Sequence, residues 1–118
     1  RRVFEILGRR GDFQMEIKQF KLLDLRQTGE SELIAKLEID KNVNDVLIDF
    51  QRFEDGFYGF RLPEDVSAVL RNYPRLSQDL IGKFTDFLKQ NKFDLPVDFS
   101  LIVRRQNVAV RQAEKLAA

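Results

Sequence analysis

Residues 40–62, "DKNVNDVLIDFQRFEDGFYGFRL", set the layout of the chain, because the apolar run before Gly56 and the aromatics after it belong to different elements. Asn44 is a favourable helix N-cap and Asp45 places a carboxylate in the first turn. Val46, Leu47, Phe50 and Phe53 then recur at helical spacing until Gly56 stops the run. The pattern predicts a helix over 44–54. On it, Asp45 and Asp49 stand i, i+4 on one face, a spacing that can share a hard cation. With no third ligand in register and no His, the pair reads as a solvated acidic face. Past Gly56, "GFYGFRL" predicts a short strand or an extended loop.

Toward the N-terminus, "ELIAKLEID" (32–40) alternates Leu33, Ala35, Leu37 and Ile39 on one face, and "RQTGES" before it supplies a turn through Gly29. "DFQMEIKQF" (12–20) sets Phe13, Met15 and Ile17 against Gln14, Glu16 and Lys18, and the apolar phase slips at Phe20 and Leu22, as at a bulge or a strand end. These segments predict two antiparallel strands. In residues 1–10, Val3, Phe4, Ile6 and Leu7 have a helix-like spacing, while a strand running into a Gly-Arg-Arg-Gly hairpin stays open.

Toward the C-terminus, Pro63 can open a helix carrying Val66, Val69, Leu70 and Tyr73, which Pro74 breaks. Ser77 caps the dominant helix, 77–90, with Leu80, Ile81, Phe84, Phe87 and Leu88 as its stripe. Its Gly82 costs ~1 kcal/mol against Ala and is expected at a close helix contact. "LPVDFSLIVRR" (95–105) alternates Val97, Phe99, Leu101 and Val103, which predicts a closing strand. The fold class is α+β, an antiparallel sheet of three to five strands packed against two or three helices. Residues 1–114 read as a single domain excised from a larger protein, and "KLAA" (115–118) reads as vector-derived tail.

At 118 residues, 43% hydrophobic and 33% charged, the chain has the composition of an ordinary globular domain. Zero Cys removes disulfides and thiolate chemistry, and zero His removes the commonest general base and transition-metal ligand. No catalytic residue, metal ligand set or cofactor site is assigned. "GRRG" lacks the spacing and the Lys-Ser/Thr pair of a phosphate-binding loop. Glu16 and Lys18 resemble the acid-x-lysine half of metal-dependent nuclease cores, but the partnering acid of that family lies further upstream than Asp12, and alternating charge on a strand explains them. An intracellular setting is the default.

Charge is partitioned. Residues 38–65 hold three bases and eight acids, whereas residues 1–11 and 66–118 are net basic. Arg9 and Arg10 with Arg104 and Arg105 form a basic patch if the termini meet, a feature suited to nucleic acid or to an acidic protein. "DGFYGF" resembles the Gly-Phe-Gly-Phe strand of cold-shock-type RNA-binding barrels. Here Tyr58 is inserted, so Phe57 and Phe60 point to opposite faces, and Glu54, Asp55, Glu64 and Asp65 repel phosphate. Phe57 and Phe60 are therefore expected in the core. Tyr58 beside Glu54 and Asp55 is expected outside, as an aromatic and acidic spot for a basic protein surface, with Asp45 and Asp49 as further acidic contacts.

Residues 2–54 also resemble, in their helix, Gly, strand, strand, helix rhythm, the ferredoxin-like regulatory domains of the amino-acid-binding ACT type. That resemblance implies small-ligand regulation. The chain departs from the family by lacking a visible first strand and its glycine-bearing loop. The expected function is a non-catalytic protein-interaction or assembly domain. A nucleic-acid module using the paired arginines and an ACT-like regulatory domain are the alternatives.

Overall fold

In a computed structural model the described residues are 16–117. The segments on both sides of the Gly56 turn are strands. β1 (Phe20–Gly29), β2 (Glu32–Ile39), β3 (Asn42–Arg52) and β4 (Tyr58–Arg61) make an antiparallel meander. Two helices follow, α1 (Glu64–Arg71) and α2 (Pro74–Leu88), then β5 (Val97–Asp98) and α3 (Ser100–Ala117). The strand order is β4-β3-β2-β1-β5, so the helix pair carries the chain from one edge of the sheet to the other. The class is α+β, with five antiparallel strands and three helices.

The helix expected over 44–54 is strand β3. Val46 and Ile48 are buried and Phe50 is half-buried on the inner face, while Val43, Asp45, Leu47 and Asp49 face out. Period two therefore governs the segment. A two-residue turn, Asp40 and Lys41 at φ 48° and 74°, joins β2 to β3, with both residues in the left-handed region that a tight hairpin requires. The Asp40 side chain repays part of that strain. Its Oδ1 accepts the backbone N–H groups of Lys18 and Gln19 at 2.8 and 2.9 Å, tying the segment before β1 to the hairpin. With this helix gone, the helix-strand-strand-helix rhythm behind the ACT resemblance is absent from residues 20–52.

The slip at Phe20 and Leu22 marks a real irregularity, since the β1–β2 register shifts between Leu22 and Asp24. The strand itself starts at Phe20 rather than at residue 12. Ile17 precedes it as a fully buried residue, and Phe13, Met15 and the first ten residues lie outside the described part.

α1 buries Val66, Val69 and Leu70. Pro74 ends that run and also starts α2 as its first residue, four positions earlier in effect than a Ser77 cap allows. Leu76, Leu80 and Phe84 of α2 are fully buried against the sheet, where the Phe84 ring centroid lies 5.5 Å from that of Phe60. Gly82 faces solvent, and a Cβ there meets nothing within 4 Å, so no close helix contact accounts for it.

The closing strand expected over 95–105 is confined to Val97–Asp98, paired with Lys21 and Leu22. Helix takes over because the Asp98 carboxylate accepts the Ser100 N–H at 2.9 Å, an arrangement that starts a helix. Phe99, Val103 and Asn107 then fall buried at i, i+4, i+8, and Leu101 turns outward. A buried polar clasp joins the pieces. The Tyr73 hydroxyl accepts the Ile17 N–H at 3.0 Å and donates to Asn107 Oδ1 at 2.6 Å, and Asn107 Nδ2 donates to the Ile17 carbonyl at 2.7 Å. Ser100 Oγ accepts the Phe20 N–H at 3.2 Å.

Candidate functional site

The β3–β4 connection is the three-residue loop Glu54-Asp55-Gly56. The Gly56 N–H donates to the Phe53 carbonyl at 3.0 Å and the Phe53 N–H to the Phe57 carbonyl at 2.8 Å. Gly56 sits at φ 87°, where a side chain is strained, and Asp55 Oδ1 accepts the Phe57 N–H at 3.2 Å. The loop is thus a built turn with a bulge glycine. It pairs Phe53 with Phe57 across the hairpin. Phe57 is 66% exposed and Phe53 47% exposed. The Phe53 ring lies over Gly59, whose missing Cβ leaves the space it uses (3.0 Å to Cε2). Two phenylalanines and two exposed carboxylates therefore crown one corner of the sheet.

The facing expected for Phe57 and Tyr58 is reversed, while Phe60 packs against the core as expected. Phe57 is outside the core, whereas Tyr58 is half-buried and turned to the inner face with Phe60. Tyr58 and Phe60 stack at 6.3 Å, and both meet Phe50. Glu54 and Asp55 are accordingly brought together with Phe53 and Phe57 instead of with Tyr58.

Asp45 and Asp49 do not join this group. On a strand they lie about 13 Å apart along one face, too far to share a cation. Asp45 stands opposite Lys36, and Asp49 between Glu32 and Arg61, as members of a mixed-charge outer face. Among the described residues no group of three or more His, Cys, Asp or Glu is placed to hold a metal ion, and no helix is long and apolar enough to cross a membrane.

Arg104 and Arg105 are exposed on α3, and Arg9 and Arg10 lie outside the described residues. The two α3 arginines share a helix face with Leu101 (53% exposed) and Val108 (48% exposed). Near the start of α3, the Ser100 hydroxyl and then its N–H hold the Asp98 carboxyl below its usual range, with smaller help from Lys21 and Arg104. Sequence reasoning missed Phe53, Leu101 and Val108 as surface residues. An acidic pair before a Gly, flanked by aromatics on both sides, is the hairpin signal that locates Phe53.

Two of the open grooves on the described surface carry apolar side chains. One of 490 Å³ lies between β4, α1 and α2, lined by Phe60, Leu62, Leu70, Pro74 and Ile81, with Arg71 at its rim paired to Glu64. The other, of 560 Å³, lies beside β1 and the α2–β5 loop and is lined by Phe87, Leu88, Phe93 and Leu95. Comparison of the chain with family models, with curated proteins and with solved structures returns no match.

Proposed function

We propose that this chain is a non-catalytic protein-interaction domain that binds through the tip of the β3–β4 hairpin. One observation carries the reading. Phe57 and Phe53 are held outward by a hydrogen-bonded turn rather than by a loose loop, so a partner gains apolar contact without paying to order the loop. Large aromatics are the residues that dominate protein interfaces. Glu54 and Asp55 beside them match a partner whose apolar contact is rimmed by Lys or Arg. A base-stacking role is disfavoured because Tyr58 and Phe60 turn inward onto Phe50 and Phe84.

The test is affinity capture with the immobilised chain, wild type against Phe57→Ser, each checked for an unchanged fold by circular dichroism and melting temperature. A partner retained by wild type and reduced at least about tenfold by Phe57→Ser is expected, equivalent to losing ~1.4 kcal/mol. Identical retained proteins at identical yields would remove the tip from the function.

A further inference from the structure

The tip has a complement on the same chain. Along the hairpin the order is Phe53, Glu54, Asp55, Phe57, two rings enclosing two acids. Along the exposed face of α3 the order is Leu101, Arg104, Arg105, Val108, two aliphatic side chains enclosing two bases. Leu101 and Val108 are seven residues apart, about 10 Å of helix rise, so the stripe is short enough for one hairpin tip to cover.

Geometry forbids the two from meeting within one molecule. α3 starts beside the first residue of β1, where the Phe99 N–H donates to the Phe20 carbonyl. It stays at that end through Asn107, which bonds the Ile17 carbonyl. In register, Phe20 pairs with Ile39 and Ile39 with Asn42, so the β3–β4 tip lies some eleven residues up the strands from this row, about 36 Å. It is also at the opposite edge, because β4 and β5 are the two outermost strands. The acidic-aromatic tip and the basic-aliphatic stripe occupy diagonal corners of an elongated molecule of 48 × 27 × 26 Å.

Resting on the reading of the tip as a binding site, we infer that its partner is a second copy of this chain, the tip of one molecule seating on the Leu101–Val108 face of α3 in the next. Such a contact joins two different surfaces, so each molecule keeps a free tip and a free stripe, and the assembly grows head to tail. Charge complementarity sets the register, with Glu54 and Asp55 against Arg104 and Arg105. A contact built on one hairpin tip and about 10 Å of helix is expected to be weak, with dissociation constants of about 0.01–1 mM. Exposed charges make it weaken with added salt.

The experiment is sedimentation velocity on the full chain from about 0.01 to 1 mM, a range that brackets such affinities, at low and high salt. Wild type is expected to show mass rising with concentration beyond a dimer, less at high salt. Phe57→Asp, which spoils the tip, and Arg104→Glu/Arg105→Glu, which spoils the stripe, are each expected to be monomeric with an unchanged melting temperature. Mixed together they are expected to give heterodimers and nothing larger, since one intact tip and one intact stripe remain. Wild type that stays monomeric across the range overturns the inference, as does a mixture that stays monomeric or a variant that assembles like wild type. A monomeric wild type that still captures another protein through Phe57 would overturn the self-contact alone and leave the tip as a binding site.

Discussion

Replacing Tyr73 with Phe removes one oxygen and exposes the dependence of the fold on its polar clasp. That oxygen accepts the Ile17 N–H at 3.0 Å and donates to Asn107 Oδ1 at 2.6 Å, in a site where Ile17 is 0%, Tyr73 3% and Asn107 6% exposed. Phe fills the same ring volume, so no cavity is made and the packing terms cancel. What remains is two buried polar groups without partners, each costing about 1–3 kcal/mol. We expect a loss of about 2–6 kcal/mol, a large share of the ~5–15 kcal/mol typical of a domain this size. Urea unfolding should show a lower midpoint with an unchanged slope, since the surface exposed on unfolding is the same. In a cycle with Asn107→Ala, the double variant should lose less than the sum of the singles by about 1 kcal/mol or more. Burial also holds the Tyr73 hydroxyl above its usual 10.0. Its folded-state pKa is raised, so the stability it contributes is complete below pH 10 and falls as pH climbs through the folded value. Tyr73→Phe lacks that alkaline loss. A Tyr73→Phe protein within about 0.5 kcal/mol of wild type would show that the clasp is incidental to stability.

Gly82→Ala should stabilise by about 0.5–1 kcal/mol, read as a raised melting temperature, because the site is exposed helix interior with open space around the new methyl. Phe84→Ala should cost about 3–5 kcal/mol in denaturant unfolding, whereas Phe57→Ala should stay within about 0.5 kcal/mol, the first ring being fully buried and the second mostly in water. Asp98→Asn should destabilise at pH 6, with the difference from wild type shrinking as pH falls below 3.8, because a carboxyl held low by Ser100 contributes above its unfolded pKa of about 3.8 and loses that contribution as pH falls through the folded value.

Two elements show why part of the fold was legible in the sequence and part was not. β2 and the turn before it read correctly because β2 buries every second residue, Leu33, Ala35, Leu37 and Ile39, and keeps polar or half-buried residues between them, whereas β1 begins only at Phe20, where the alternation of 12–20 ends. β3 misleads because it carries apolar side chains on both faces. Val43 and Leu47 project into solvent while Val46 and Ile48 are buried, so the run Val46-Leu47-Ile48 fits a helical stripe as well as a strand. The Asp40-Lys41 turn that separates β2 from β3 also goes unseen, since Lys at positive φ carries no turn signature. At the C-terminus, Phe99 and Val103 satisfy both period two and period four. The deciding bond, from the Ser100 N–H to the Asp98 side chain, leaves no mark in hydrophobic periodicity.

The candidate site fails to show in the sequence for a different reason, and that reason bears on its use. Spacing alone establishes that Tyr58 and Phe60 share a face, but which face is set by the pairing of Phe60 with Phe50 and the contact of Phe60 with Phe84, both tertiary. A chain with eleven phenylalanines invites the assumption that all are core. Phe57 contradicts it, held outward by Gly56 and by the Asp55 carboxylate on its own N–H. Such an exposed ring adds little to folding stability and raises the risk of aggregation. A turn that keeps it exposed therefore makes physical sense if the ring acts between molecules, and the two effects separate experimentally. Substituting Phe57 should leave the unfolding midpoint in place while abolishing association, and substituting Phe84 should shift the midpoint first.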